Sequence, residues 1–261
     1  MTLLDGVLLE FYGDYHIHSN YSDGQESIKQ IAEAAKMQGL EEVAITDHGP
    51  AVLFSGVKNG LAYEQIIEDI KRLQEPPVKV LAGAEANIID PNGMLDIPPN
   101  IYEELDVLIC GLHPNTIPHR SAASYSMFAR NYMRRLGSDR NKTVNTNTKA
   151  VVGALDNNPV DILSHPGLYF KVDLPEVARA CVRNDVKFEI NCGHHHPSLD
   201  DIRAASRVGV DFIVNSDAHH CWTVGKLQYG AEIIEKLDLS LKRIYNCKVG
   251  GKHEWIGKRK N

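Results

Sequence analysis

Short apolar runs alternate with amphipathic stretches along the chain. "LLEFYGDYHIH", "EEVAITDH", "VKVLAGAEANI", "DVLICGLH", "VDILSHPG", "KFEINCG" and "DFIVNSDAHH" are apolar without strict alternation. That is the pattern of parallel strands buried on both faces. Between them lie segments with a helical stripe. In "SIKQIAEAAKMQG", Ile28, Ile31, Ala32 and Ala35 share a face and Gly39 is placed to stop the helix. In "AYEQIIEDIKRLQE" the stripe is Ile66, Ile67, Ile70 and Leu73, ended by Pro76-Pro77. "NTKAVVGALDNN", "PEVARACVRNDV" with Pro175 at its start, "LDDIRAASRVG" and "LQYGAEIIEKL" complete the helical set.

Strands alternating with helices predict βαβ units and a parallel sheet. Seven strands, with no Gly-rich dinucleotide fingerprint after the first, favour a closed barrel over an open sheet. No linker-like stretch divides the 261 residues, so one domain is expected over 1–261. Its irregular part is a polar, Ser/Asn/Arg-rich segment near 114–149, read as an insertion or lid around a short helix at "SYSMFARNYMRRL". The basic tail "GKHEWIGKRKN" reads as frayed.

Placing the polar residues on this scaffold changes the picture. His16 and His18 fall at the end of the first strand, Asp47 and His48 at the second, Glu85 at the third, His113 at the fourth and His165 at the fifth. Asn191 ends the sixth, with His194, His195 and His196 beyond it, and Asp217 and His219 end the seventh. In a parallel barrel these ends converge on the face where such barrels keep their active sites. Singly, each residue has an ordinary explanation: a satisfied strand-end histidine, a helix-capping Asp47, or a turn at Asp23-Gly24. Together they would bury carboxylates and imidazoles on one rim, which demands pairing or metal. Positions i and i+2 of a strand share a face, so His16 and His18 can chelate together while Ile17 packs outward. Imidazole and carboxylate donors without cysteine suit Zn, Mn or Fe, and the supply exceeds one tetrahedral ion, so two or three ions are expected.

Composition narrows the classes. Net charge is −6, which gives no bulk support for a nucleic-acid partner. The five cysteines are widely spaced with no C-x-x-C, as in a reduced cytoplasmic protein. The N-terminus has no basic stretch before its apolar run and so does not read as a signal peptide, and no apolar run is long enough to span a bilayer.

In order, "DYHIHSNYSDG", "AITDHGP", "GAEANI", "CGLHP", "LSHPG", "FEINCG" and "NSDAHH" resemble the motifs of the PHP (polymerase and histidinol phosphatase) family, especially its stand-alone trinuclear-metal phosphatases. The resemblance runs from about Tyr12 to the final helix. It implies a distorted (β/α)7 barrel with parallel strands and three metal ions at the C-terminal strand ends. It places His16, His18, Glu85 and Asp217 on the first ion and Asp23, His48 and His219 on the second. Glu85, as a bridge, would join His113 and His165 on the third. Asp47 would orient neighbouring ligands. Asp23 stands where some members of the closest branch carry histidine and many other members carry aspartate. The 118–149 segment is longer than in compact members, and the triple histidine at 194–196 replaces a small polar stretch.

The implied activity is hydrolysis of a small phosphate ester, as in histidinol phosphatases, by a metal-activated hydroxide. His194 and His195 are candidate proton donors and Arg120 a candidate phosphate clamp. His119, His220 and His253 read as ordinary loop residues. Three competitors stand beside this. An amidohydrolase-type deaminase or amidase also begins with H-x-H, but typically has eight strands and often a lysine on the fourth, where this chain has "CGLH". A single-strand nuclease within the same family is disfavoured by the acidic charge. A non-catalytic metal-bearing module is disfavoured by the full ligand set.

Overall fold

The computed structural model describes residues 3–4, 7–133 and 140–249. The basic tail with His253, and the 134–136 end of the expected lid helix, lie outside the described residues. Seven strands form one sheet in chain order: β1 (Gly13–Ile17), β2 (Glu42–Ile45), β3 (Lys79–Asn87), β4 (Val107–Gly111), β5 (Ile162–Leu163), β6 (Lys187–Asn191) and β7 (Phe212–Asn215). All six neighbouring pairs are parallel. Leu3–Leu4 and Val7–Leu8 make a separate antiparallel pair ahead of them.

β1 and β7 meet through a single bridge, Ile17 to Ala218, where the His18 N–H donates to the Ala218 carbonyl at 2.9 Å. At the opposite end the C-terminal segment fills the gap between the two strands. The Tyr245 N–H donates to the Phe212 carbonyl at 2.7 Å. The Asn246 amide donates to the Gly13 carbonyl at 2.8 Å and the Val214 carbonyl at 2.6 Å. These bonds occupy backbone groups that an unclosed barrel would leave as free edges.

Helices α1 (Ile28–Met37), α2 (Leu61–Lys71), α3 (Pro99–Tyr102), α4 (Ala122–Met133), α5 (Arg140–Asn157), α6 (Leu174–Arg183), α7 (Leu199–Val208) and α8 (Gln228–Leu237) surround the sheet. Each sequence-read stripe faces it: Ile28, Ile31, Ala32 and Ala35 of α1 are buried, and Ser27 closes its start with a capping box to Gln30. The main core lies between strands and helices, while a smaller cluster of Tyr15, Ala44, Leu81, Val107, Ile109, Ile162, Ile213 and Tyr245 fills the barrel interior. Ile17 belongs to the outer layer and Tyr15 to the interior, a switch accommodated by the irregularity in register between Asp14 and Ile17. Among the described residues no helix is long and apolar enough to cross a membrane.

Two expectations change. The 114–149 segment is largely helical: α4 runs over twelve residues, and α5 begins at Arg140, seven residues before the expected "NTKAVVGALDNN". Asn131 and Asn147 hold the two helices together by reciprocal amide bonds, each 2.8 Å. Glu85 lies within β3, which continues to Asn87, whereas His18, His48, His113, His165 and Asp217 follow their strands by one to three residues.

Candidate metal centre

The ring of polar residues converges at the C-terminal end of the barrel. Glu85 is its hub, with no exposed surface. Its Oε2 lies 2.8 Å from His48 Nδ1, 3.2 Å from His16 Nε2 and 3.7 Å from His18 Nε2. Its Oε1 lies 3.1 Å from both His113 Nε2 and His165 Nε2. Asp217 forms a second anionic point, with Oδ1 3.2 Å from His18 Nε2 and 3.6 Å from His16 Nε2. Asp23 forms a third at the rim, 3.3 Å from His219 Nε2 and 3.9 Å from both His18 and His48.

These approaches do not amount to a satisfied hydrogen-bond network. His16 Nε2, both ring nitrogens of His18, His48 Nδ1 and both oxygens of Glu85 are buried without a hydrogen-bond partner among the described residues. Orphaned buried donors and acceptors of this density are costly unless something else fills them. Four sets have donor atoms within 4.8 Å of one another: His18, Asp23, His48 and His219; His16, His18 and Glu85; His16, His165 and Asp217; and His48, Glu85 and His113. Their nitrogen and oxygen lone pairs point at shared space, so the donor set fits divalent cations. All nine expected ligands are therefore brought together. The groupings overlap more than three separate ligand lists suggest, since His48 faces both the rim and the Glu85 hub.

Local backbone supports this convergence. His165 (φ 25°) and Asp217 (φ 54°) adopt left-handed conformations that bend their side chains inward, a strain typical of functional sites. A Cβ at Gly111 would sit 2.4 Å from Ser164 Oγ and 3.0 Å from the His113 ring, so glycine permits the close packing of β4 and β5 ends.

Electrostatics couples the groups. Burial raises the Glu85 and Asp217 carboxyls, but the surrounding imidazoles outweigh it and hold both well below the usual carboxylate range. Burial likewise lowers His16, yet Glu85, Asp217 and Glu189 carry it well above its usual value. His48 and His165 are also raised by Glu85 against burial. His219 reaches about 9 because Asp23 and Asp217 overcome its burial. Burial and the neighbouring imidazoles push His18 down to about 3, and burial pushes His113 down to about 4.

A layer of supporting residues fixes the rings. Asp47 accepts from the Ser19 N–H (2.8 Å), the Ser19 hydroxyl (2.7 Å) and the Ser22 hydroxyl (2.5 Å), bracing the loop between His18 and Asp23. Glu189 was not anticipated. It is wholly buried in β6, receives His16 Nδ1 at 2.7 Å and the His165 N–H at 2.7 Å, and is held by Asn191 and Asn215. A charged residue inside the apolar run "KFEIN" was the available signal, since such a residue needs a partner. Asn87, also unanticipated, accepts His113 Nδ1 at 2.7 Å and shares the strand face of Glu85 two residues earlier.

A cavity of about 200 Å³ opens onto the ring, lined by Val52, Leu53, Ser55, Pro114, Asn115, Tyr169 and His194 above the ligands. His194 Nε2 lies 3.4 Å from Asp217 Oδ2 and 3.3 Å from the Tyr169 hydroxyl. Tyr169 carried no sequence signal; its ring packs edge-on against His165. Two expected contacts are not brought here. His195 turns outward and stacks on Tyr229 at 4.9 Å, because its left-handed backbone (φ 50°) points it away from His194. Arg120 is exposed and lines a separate, larger and mostly apolar groove of about 980 Å³. Leu53 and Val52 pair with Asn115 and Thr116, and this ladder stands between the groove and the ring. His119 lines the same groove, and His220 stacks on the exposed Trp222.

A parallel seven-stranded barrel with a ring of imidazoles and carboxylates at its C-terminal end defines a hydrolase-like metal-centre scaffold. The PHP domain family matches residues 14–216, and the chain belongs to that family. It is 28% identical to a protein named "Probable phosphatase" from Acetivibrio thermocellus, over 97% of this chain and 98% of that one. It is 26% identical to the DNA polymerase/3'-5' exonuclease PolX of Bacillus subtilis, covering 90% of this chain but 39% of the polymerase. Its fold resembles the crystal structure of histidinol phosphate phosphatase from Lactococcus lactis complexed with zinc, L-histidinol and phosphate. The TM-score is 0.61 at 18% identity, covering 88% of this chain and 94% of that one.

Proposed function

We propose that this protein is a metal-dependent phosphoesterase that hydrolyses a small phosphate monoester. The observation that carries the reading is the buried cluster of orphaned imidazole and carboxylate atoms around Glu85. The near full-length relative named as a phosphatase supports the same reaction class. His16, His18, Glu85 and Asp217 would hold one ion, Asp23, His48 and His219 a second, and Glu85 with His113 and His165 a third, with Zn, Mn or Fe suited to these donors. Bound there, such cations neutralise phosphate oxygens and lower the pKa of water toward ~7.

The chain's own residues do the rest. Glu189 holds His16 through Nδ1, which leaves Nε2 facing the hub. Asp47 keeps the 18–23 loop in place, so Asp23 and His18 stay on one side of the cavity. Val52, Leu53, Pro114 and Tyr169 form an apolar wall that limits water around a bound ester. His194, at the mouth beside Tyr169, is our candidate to pass a proton to the departing alkoxide, a role its burial-lowered pKa does not by itself favour. Histidinol phosphate is the first compound to test, followed by sugar phosphates and nucleotides. The five cysteines are free thiols, four of them buried, which suits a cytoplasmic setting.

A metal analysis combined with a phosphate-release panel tests the proposal. Metal-replete protein should release phosphate from at least one monoester, and His16→Ala should abolish it. Ammonia release instead would establish the deaminase reading, against which the seven-stranded PHP barrel already speaks. A steeply salt-dependent affinity for single strands would move the activity to a nuclease.

A further inference from the structure

We propose that Asp96 is a positioning residue for the His48–Glu85–His113 cluster, setting the tautomer of His113 through Asn87 and the seat of His48 through the Gly49–Ala51 turn. The inference rests on reading that cluster as a metal site.

Asp96 lies outside the ring, in the loop after β3. Its carboxylate accepts three N–H groups: Asn87 N–H at 2.7 Å, Asn87 Nδ2 at 2.6 Å and Ala51 N–H at 2.9 Å. The Asn87 Nδ2 group faces a second acceptor as well, the Gly49 carbonyl at 3.3 Å. Two acceptors around one end of the amide settle its orientation, since the reverse placement would set Oδ1 against both oxygens. Asn87 Oδ1 must then face His113 Nδ1, which it does at 2.7 Å. An amide oxygen only accepts, so Nδ1 carries the ring proton and Nε2 keeps its lone pair, which can accept from the His165 Nε2–H at 3.2 Å, on the side of the Glu85 hub. Without Asp96 only the Gly49 carbonyl at 3.3 Å still orients the Asn87 amide, and a reversed amide would move the ring proton to the nitrogen that has to coordinate.

The other arm reaches His48. Ala51 is three residues past it, and the Gly49 N–H donates to the Glu85 carbonyl at 2.8 Å. Asp96 therefore clamps the turn that carries His48 onto the strand that carries Glu85. The approach needs glycine: a Cβ on Gly49 would sit 2.3 Å from both Asp96 carboxylate oxygens. Two of the three donor residues of one candidate metal set are thus governed by a carboxylate that touches neither.

The test uses the full chain. In metal-free protein with 15N-labelled histidine, His113 should be the Nδ1–H tautomer, and Asp96→Asn should shift it toward Nε2–H. A chelator competition with zinc alone should show one equivalent weakened ~10–100-fold, the range for residues that orient ligands, while the others move little. Gly49→Ala should reproduce this by displacing Asp96. Asn87→Asp placed on Asp96→Asn should recover most of the loss, because a carboxylate, which can only accept, then faces the His113 Nδ1–H in place of the amide oxygen. The proposal is overturned by a wild-type His113 in the Nε2–H form. It is equally overturned if Asp96→Asn lowers the Tm of the metal-free protein but leaves tautomer and every zinc equivalent unchanged. A wild-type protein that takes up no divalent metal would instead remove the metal-centre reading, and the tautomer signal would still decide whether Asp96 governs His113.

Discussion

The two ends of the barrel bury charge in opposite ways. At the N-terminal end, Glu42 at the start of β2 accepts from the Tyr15 hydroxyl and pairs with Lys79 at 3.4 Å, and Lys187 at the start of β6 pairs with Asp185. Each charge has a partner of opposite sign. At the C-terminal end, Glu85 alone faces five imidazoles, and buried donor atoms on both sides of those contacts stay unsatisfied. Burial of charge therefore does not mark a site in itself. What marks it is an excess of one ligand chemistry without the partners that would close it.

The sharpest way to break this comparison is to neutralise one carboxylate at each end. Glu85→Gln should lower phosphate release by more than the ~100-fold upper range of residues that merely orient ligands. Glu42→Gln should leave turnover intact and lower Tm, since it weakens a buried hydrogen bond, a loss of about 1–3 kcal/mol. Equal loss of turnover in two folded variants would erase the distinction. The next largest effect belongs to the rim. Asp23→Asn should weaken one metal equivalent by ~10-fold or more while the ion at His16 and His18 is retained, as metal analysis after dialysis would show.

Protonation gives a third measure. Glu85 and the other buried carboxylates raise His16, His48 and His165, and His219 reaches about 9, so the metal-free protein keeps the His219 proton at pH 7 and the other three hold theirs to higher pH than a free imidazole. Coordination needs neutral imidazole, so metal loading at pH 7 should release protons, and the release should shrink as pH rises toward that of His219. Calorimetry in buffers of different ionisation enthalpy reads this directly, and a buffer-independent enthalpy would contradict the electrostatic picture. The smallest effect is expected at Arg120, which lines the apolar groove. Arg120→Ala should change kcat/KM by no more than ~2-fold, the scale of a neutral surface substitution. A tenfold rise in KM would return Arg120 to the substrate.

The ring was legible because a barrel converts sequence order into geometry. Once β1 to β7 are placed, His16, His18, His48, Glu85, His113, His165, Asp217 and His219 must gather at one end. Asp23 was different: its place before Gly24 reads as a turn, and only the family resemblance made it a ligand. What hid was whatever depends on tertiary partners. Helices α4 and α5 are rich in Ser, Thr and Asn, weak helix formers, so the segment looks like a loop until Asn131–Asn147 and the Phe128–Phe170 contact hold it. The outward turn of His195 and the wall that separates Arg120 from the cavity are loop paths, which no periodicity encodes. The edge-sealing role of Asn246 was equally invisible, since "IYNC" carries no pattern of its own.

That seal has a consequence for the order in which the molecule is made. Asn246 joins Gly13 across 233 positions of sequence, and Asp217 and His219 complete a ring begun at His16. During synthesis the first histidines leave the ribosome long before their last partners exist. The chain must wait, with β1 unclosed, until residues near 246 emerge, and closure of so long a loop is slow by its nature. Of the four donor sets, His16, His18 and Glu85, and His48, Glu85 and His113, are complete within the first 113 residues, whereas the two that need Asp217 or His219 can form only after the last strand has been made.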